Sequence, residues 1–256
     1  MRTQEILRAP HSPLKTYYPR EEDRRAWVLD IFDRTAADYD RVERMMALGS
    51  GSWYRRRALQ GSGLRWGMRV LDIGVGTGLV AREAARIVGD PTLVVGIDPS
   101  QAMVANAKLP PGVQLARGSA ESIPATDGSA DFLSMGYALR HISDLSLAFR
   151  EFHRVLKPGG RLCLLEITRP EGAWSCALLK LYLRGVVPLA SRFVARHRDM
   201  PKLMRYYWDT IEACASPASI IAAITAAGFG DVHRHIELGT FSAYRATKPA
   251  ELPPQG

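Results

Sequence analysis

The sequence predicts an α/β fold, a mostly parallel sheet with an antiparallel last strand, and three observations predict it. Short apolar runs rich in β-branched residues alternate with segments of helical apolar spacing through the middle of the chain. A glycine turn, Gly74-Val75-Gly76-Thr77-Gly78, joins the first apolar run to a helical segment. A carboxylate, Asp98, ends the second run about 20 residues further on, where nucleoside-binding folds place the acid that grips ribose hydroxyls.

Taken in order, the residues from Met1 to Pro19 carry three prolines and little periodicity, so an arm ordered only by outside contacts is expected. From Glu21 the pattern is helical. Trp27, Ile31, Phe32, Ala36 and Tyr39 form one stripe, which Val42, Met45, Met46 and Leu48 extend to Gly49-Ser50-Gly51. A second helix runs from about Trp53 to Leu59 and ends at Gly61-Ser62-Gly63. The two make a helical N-terminal cap, with Trp27 and Phe32 expected in the core.

Val70 to Val75 reads as the first strand, Leu79 to Val88 as a helix stopped by Gly89, and Leu93 to Asp98 as the second strand. A helix over Pro99 to Lys108, a strand over Val113 to Ala116, a strand over Ala130 to Met135 and a helix over Asp144 to Leu156 follow. Pro158-Gly159-Gly160 then turns the chain into a fifth strand, Arg161 to Ile167. Right-handed crossovers put helices on both faces of this sheet, and ligands beyond the carboxyl ends of its strands.

The alternation stops between Thr168 and Ala215. The apolar stretch from Leu178 to Val187 is interrupted by Lys180 and Arg184 and closed by Pro188, so it is expected not to span a bilayer. Its basic flank suggests a substrate lid or an interfacial helix, and a packed helix pair is the plain alternative. Ser216-Pro217 caps and opens a helix that Gly228 stops. Two runs, 231–237 and 240–247, then read as an antiparallel hairpin at the sheet edge, with a frayed tail from Pro249. The implied organisation is an arm and helical cap over 1–60, an α/β domain over 61–168 and 216–248, and a helical insertion over 169–215.

With 256 residues and 46% hydrophobic content, the chain can bury a sizeable core. Three cysteines without C-x-x-C spacing argue against a disulfide framework and for a reducing cytoplasm. No signal-peptide core follows Met1-Arg2-Thr3-Gln4-Glu5, and a soluble protein is expected. The net charge of +8 points to an anionic partner, nucleic acid or membrane surface, or to a solvated basic exterior. Arg55-Arg56-Arg57 is one basic cluster, and Arg192, Arg196, His197, Arg198, Lys202 and Arg205 form a second. Neither is interleaved with aromatics, so no nucleic-acid partner is expected. His233 and His235 share a strand face without further ligands, and no metal site is expected.

The turn is G-x-G-x-G, lacking the G-x-G-x-x-G of a dinucleotide fold, and no phosphate-loop motif is present, which fits a ligand without a pyrophosphate. Read with Asp72 inside the first strand, Asp98, and Lys157-Pro158-Gly159-Gly160-Arg161, the stretch from Arg69 to Ile167 resembles a class I S-adenosylmethionine-dependent methyltransferase, a Rossmann-like fold. A narrower resemblance spans nearly everything after residue 25. Phe32-Asp33-Arg34-Thr35-Ala36-Ala37-Asp38-Tyr39-Asp40 is similar to the F-x-x-x-A-x-x-Y-D opening of the ubiquinone/menaquinone C-methyltransferase family. Ala138-Leu139-Arg140-His141-Ile142-Ser143-Asp144 is similar to its G-[LI]-R-N-x-x-D segment, and Leu156 to Arg161 and Leu165-Glu166-Ile167 to its L-K-P-G-G-R and L-E-F. Ser119-Ala120-Glu121 stands where that family has D-A-E, His141 where it has asparagine, and Ala138 where it has glycine.

The resemblance implies S-adenosylmethionine as methyl donor. Asp98 would hold the ribose diol, and Gly74, Gly76 and Gly78 would form the donor loop, braced by Asp72. Ser119 and Ala120 would face adenine, and Tyr39 would close over the methionine end. Arg140, directly or through a water, or His141 would assist removal of a ring proton. The plain alternatives are a structural ion pair for Arg140, a hydrogen bonder behind the site for His141 and core packing for Tyr39. Glu166 borders the acceptor pocket or belongs to surface structure. The implied activity is methyl transfer to a small aromatic or quinone-type acceptor, with C-methylation in quinone biosynthesis preferred. O- or N-methylation of a small molecule in secondary metabolism is the alternative. A nucleic-acid methyltransferase lacks the N-P-P-Y-like tetrapeptide it would need. The implied partners are a small lipophilic acceptor, a peripheral membrane contact and a second copy of the chain.

Overall fold

The computed structural model describes residues 8–250. Two helices, α1 (Glu21–Met46) and α2 (Gly51–Gly61), precede the sheet. Strands β1 (Val70–Ile73), β2 (Val94–Asp98), β3 (Gln114–Arg117), β4 (Ala130–Gly136) and β5 (Leu156–Ile167) pair in parallel in the order β3-β2-β1-β4-β5. Strands β6 (Gly230–Glu237) and β7 (Phe241–Thr247) form the expected hairpin; β7 lies antiparallel to β5, and β6 takes the edge. The strand succession reverses between β1 and β4, so a crevice opens beyond their carboxyl ends.

Helices α3 (Leu79–Val88), α4 (Gln101–Ala105) and α5 (Leu145–Val155) connect the parallel strands. Leu133, Phe149, Phe152 and Leu164 belong to one buried cluster, and Val80, Val88, Phe132 and Leu165 to another. Alternate residues of β4 and β5 thus pack on opposite faces, as a strand buried on both sides requires.

Helix α4 is shorter than its sequence pattern. The Asp98 carboxylate holds the Ser100 N–H, keeping Pro99 and Ser100 out of the helix, and Lys108 donates to the Thr77 carbonyl at 3.1 Å, pulling the chain away. Strand β5 starts earlier than expected: Ala130 pairs with Leu156 and Phe132 with Arg161, and the intervening Lys157-Pro158-Gly159-Gly160 bulges out of the ladder. Leu48, expected on the α1 stripe, lies past the helix end at φ +48° and is exposed.

The insertion differs most. Helix α6 (Ala173–Lys180), a π-helical segment (Leu181–Val186) and α7 (Val187–Val194) run on as one helix of 22 residues, followed by α8 (Met200–Ala213) and α9 (Pro217–Ala226). Pro188 does not break it, because the preceding π turn shifts the hydrogen-bond pattern where the proline N–H is missing. By length and composition this helix is long and apolar enough to cross a membrane, contrary to the sequence expectation. Lys180 and Arg184, read as interruptions, are ion-paired to Glu212 and Asp209 of α8 at 2.7 and 3.0 Å.

The arm is held by outside contacts from residue 8 onward. Arg8 and Pro10 carbonyls accept from Leu145 and Ala215, both at 2.7 Å, and Tyr18 is buried in a third cluster with Ile31, Leu183, Tyr206 and Trp208. The start of the arm and the tail beyond residue 250 lie outside the described residues.

Candidate active site

A cavity of about 540 Å³ opens at the crevice beyond β1 and β4, within the size range of small-molecule sites. The sheet side supplies the glycine loop, Asp98 and the Ser119–Ser122 turn. The other side is built by α1, α2, α8 and the π-helical segment.

On the sheet side, Asp98 Oδ2 accepts from the Gly76 N–H and Oδ1 from the Ser100 N–H, each at 2.8 Å. The two bonds fix the carboxylate against the glycine loop while each oxygen keeps a further lone pair. Burial pushes its carboxyl up to about 6. Gly74 and Gly76 have φ of +67° and +55°, a region that disfavours side chains. A Cβ on Gly74 would also stand 2.8 Å from the Ala138 Cβ. Ser119 and Ser122 exchange backbone hydrogen bonds in a tight turn, and Ser119 and Ala120 both line the cavity. Glu121 accepts from the Ser143 N–H at 2.9 Å, tying that turn to the loop that carries His141.

The helical side is aromatic. The Tyr39 hydroxyl lies 3.0 Å from that of Tyr207, and the Phe32 ring lies 5.1 Å from His141, so Phe32 forms cavity wall where simple core was expected. Burial raises the Tyr39 phenol well above its usual range, so it stays protonated. His141 sits in a 3₁₀ turn (Leu139–His141), stacks on Tyr206 and meets its hydroxyl through Nδ1 at 3.3 Å. Its buried Nε2 has no hydrogen-bond partner among the described residues. Burial, and then the Arg140 charge, push His141 well below the ordinary imidazole range, leaving a neutral ring.

Four of the residues expected at or beside the site, Arg140, Glu166, Asp72 and Gly78, stand outside the cavity lining. Arg140 is fully buried, ion-paired to Glu166 at 3.0 Å and placed under the Tyr207 ring at 4.8 Å. Its side chain serves a structural pair behind the wall, because a guanidinium in such surroundings needs a counter-charge. Glu166, likewise buried, is neither pocket border nor surface. Asp72 is buried within β1, accepts from the Ser134 hydroxyl at 2.7 Å, and is pushed up to about 7 by burial. Gly78 caps α3 and packs against Leu109.

The cavity also holds residues that sequence reasoning passed over. Thr77 and Tyr54 line it, and their buried hydroxyls have no hydrogen-bond partner among the described residues. Arg55 is paired with Glu43, lies 5.7 Å over the Tyr137 ring and lines the cavity with both. Tyr137 adopts φ +62°, a strained conformation for a bulky residue next to the site. Arg55 was visible only as part of a charge run; nothing in the sequence marks Tyr137 or Tyr207.

Comparison with known proteins identifies relatives that match most of the chain. The sequence model of the ubiE/COQ5 methyltransferase family matches residues 20–248. The chain is 31% identical over 239 residues to the ubiquinone/menaquinone biosynthesis C-methyltransferase UbiE of Rubrivivax gelatinosus, covering 92% of each chain. It is 31% identical over 218 residues to UbiE of Serratia proteamaculans, covering 82% of this chain and 86% of that one. Among solved structures, a SAM-dependent methyltransferase from Thermotoga maritima superposes with a TM-score of 0.59 at 23% identity, over 86% of this chain and 98% of that one, which shows the shared fold. The sheet order, the glycine loop against Asp98 and the near full-length match lead to one conclusion: this chain belongs to the ubiE/COQ5 methyltransferase family.

Proposed function

We propose that the chain transfers a methyl group from S-adenosylmethionine to a ring carbon of a lipid-tailed, quinone-type acceptor in quinone biosynthesis, working in the cytoplasm at a membrane surface. The observation that carries this reading is a single cavity with Asp98 and the glycine loop on one side and Phe32, Tyr39, His141 and Tyr207 on the other. A polar nucleoside cradle thus faces an apolar, aromatic slot.

The residues fit the donor. Asp98 has lone pairs left for a ribose diol, the side-chain-free loop at Gly74 and Gly76 admits close backbone approach, and Ser119 and Ala120 border the adenine place. The orphaned Thr77 hydroxyl and the Arg55 guanidinium suit the amino-acid end, over which Tyr39 closes. When bound, S-adenosylmethionine supplies a methyl already activated on a sulfonium. The protein therefore acts mainly by positioning.

Carbon methylation also requires loss of a ring proton. In the tautomer whose Nδ1–H donates to the Tyr206 hydroxyl, the Nε2 of the neutral His141 accepts a hydrogen bond from an acceptor-ring hydroxyl and orients the ring for that loss. Arg140 is a positioning residue: paired with Glu166, it holds the 3₁₀ turn, and its charge adds to burial, the larger cause, in keeping His141 neutral. Residues 169–215 act as the substrate lid, since Leu179, Tyr182 and Leu183 close one wall of the cavity.

The test is incubation of the protein with methyl-labelled donor and, separately, lipid extract, aqueous metabolites and nucleic acid. Label is expected in the lipid fraction. Label confined to the aqueous pool would overturn the quinone reading, and label confined to nucleic acid would overturn any small-molecule reading.

A further inference from the structure

The 22-residue helix Ala173–Val194 has two unlike sides. Inward, Leu183, Val187, Pro188 and Ser191 are buried on the protein, and Leu179, Tyr182 and Leu183 line the cavity. Outward, Trp174, Leu178, Leu181, Val186, Leu189 and Phe193 are exposed, the end residues at 87% and 85%. Their spacings are four, three, five, three and four residues, and the five-residue step falls within the π-helical segment. A π turn carries more residues than an α turn, so it keeps the stripe on one side past Pro188.

A basic cleft of about 340 Å³ follows the C-terminal end of this helix, lined by Arg192, Arg196, His197, Arg198, Lys202 and Arg205. The acids beside it are already engaged. Asp199 pairs with Arg34, and Asp38 accepts from the Arg196 and His197 backbone N–H groups at 2.7 and 2.8 Å. Asp199 also lies 3.9 Å from His197, yet among the described residues the five arginines and lysines of the cleft outnumber these two acids, so a net positive charge stands at the end of an exposed apolar stripe.

We propose that the outer face of Ala173–Val194 and the adjoining arginine cleft dock the protein flat on an anionic phospholipid bilayer, with the apolar stripe among the acyl chains and the cleft against the headgroups. Charge complementarity selects this occupant, since the positive cleft calls for a negatively charged surface beside an apolar one. The helix lies in the surface instead of crossing it, because its inner side is packed on α8 and both of its central cations are ion-paired there. A single helix, about 10 Å thick, then separates the bilayer from the cavity. The inference deepens the membrane-surface reading above and rests on it for its biological meaning, though not for its test.

The test uses the full chain with neither donor nor acceptor, sedimented with vesicles of phosphatidylcholine alone or mixed with phosphatidylglycerol. Binding to the mixed vesicles is expected to be at least about tenfold tighter and to weaken with salt. Trp174→Ser combined with Phe193→Ser should reduce it about tenfold or more, and Arg196→Glu with Arg198→Glu should remove the preference for anionic vesicles. Circular dichroism and calorimetric binding of S-adenosylmethionine, unchanged in both variants, show that the fold is kept. Equal binding to both vesicle types, or full binding by the Trp174/Phe193 variant, would overturn the proposal. So would a wild-type dimer in sedimentation equilibrium that this variant dissociates while vesicles bind neither form, which would make a second copy the occupant. Methyl transfer to a detergent-dispersed acceptor, measured separately, reports on the proposed function alone.

Discussion

Asp98 joins two requirements in one carboxylate, locking the glycine loop and leaving lone pairs toward the cavity. Burial holds it near 6, and only the ionised form can accept from both ribose hydroxyls. Donor affinity should therefore fall as pH drops through about 6 and level off above it, by at most about tenfold per pH unit. Calorimetry across that range checks this; a flat profile would remove Asp98 from the site. Asp98→Asn should weaken donor binding by about 1.5–3 kcal/mol, the worth of hydrogen bonds to a charge, and abolish the pH dependence. His141 illustrates what residue type alone does not settle. Its ordinary proton affinity suits a base at neutral pH, but burial and Arg140 lower that affinity well below the usual range. Its replacement by Ala should lower turnover about 100-fold while leaving donor affinity within about twofold, as expected for a group that meets only the acceptor.

Elements bounded by local chemistry were legible in the sequence. Ser216 caps α9 and Gly228, at φ +96°, follows its end, as their spacing from the apolar pattern implies. Elements whose course depends on remote partners were not. The helix from Ala173 to Val194 reads as broken, because its stabilising acids stand on α8 and its proline is absorbed by a π turn. The Gly74–Ala138 approach joins β1 to the 3₁₀ turn in the same way, and no local pattern announces it. Gly74→Ala should cost about 2 kcal/mol from left-handed backbone alone, lowering the melting temperature by roughly 4–8 °C. Adding Ala138→Gly should recover only the part due to the 2.8 Å contact. The Arg140–Glu166 pair makes a sharper case. Glu166→Gln strands a buried guanidinium and should destabilise by about 3–5 kcal/mol, whereas the double replacement by Met should regain most of that in chemical denaturation.

Across the whole molecule, the glycine loop and Asp98 on the sheet side of the cavity come from one contiguous strand–turn–helix and the next strand end, which is why they could be read directly. The helical side gathers Phe32, Tyr137, His141, Tyr182 and Tyr207 from separate elements, and only the folded chain brings them together. Under the proposed function that division has a chemical sense: the glycine loop and Asp98 would hold a constant donor, and side chains from the helical side would choose the acceptor. The most direct measurement of this account supplies carbon-13-methyl S-adenosylmethionine and lipid extract to the protein and locates the transferred methyl by NMR. A methyl on a ring carbon of a lipid-soluble quinone-type product is the predicted result; a methyl on oxygen or nitrogen, or no labelled lipid from protein that binds the donor, would contradict it.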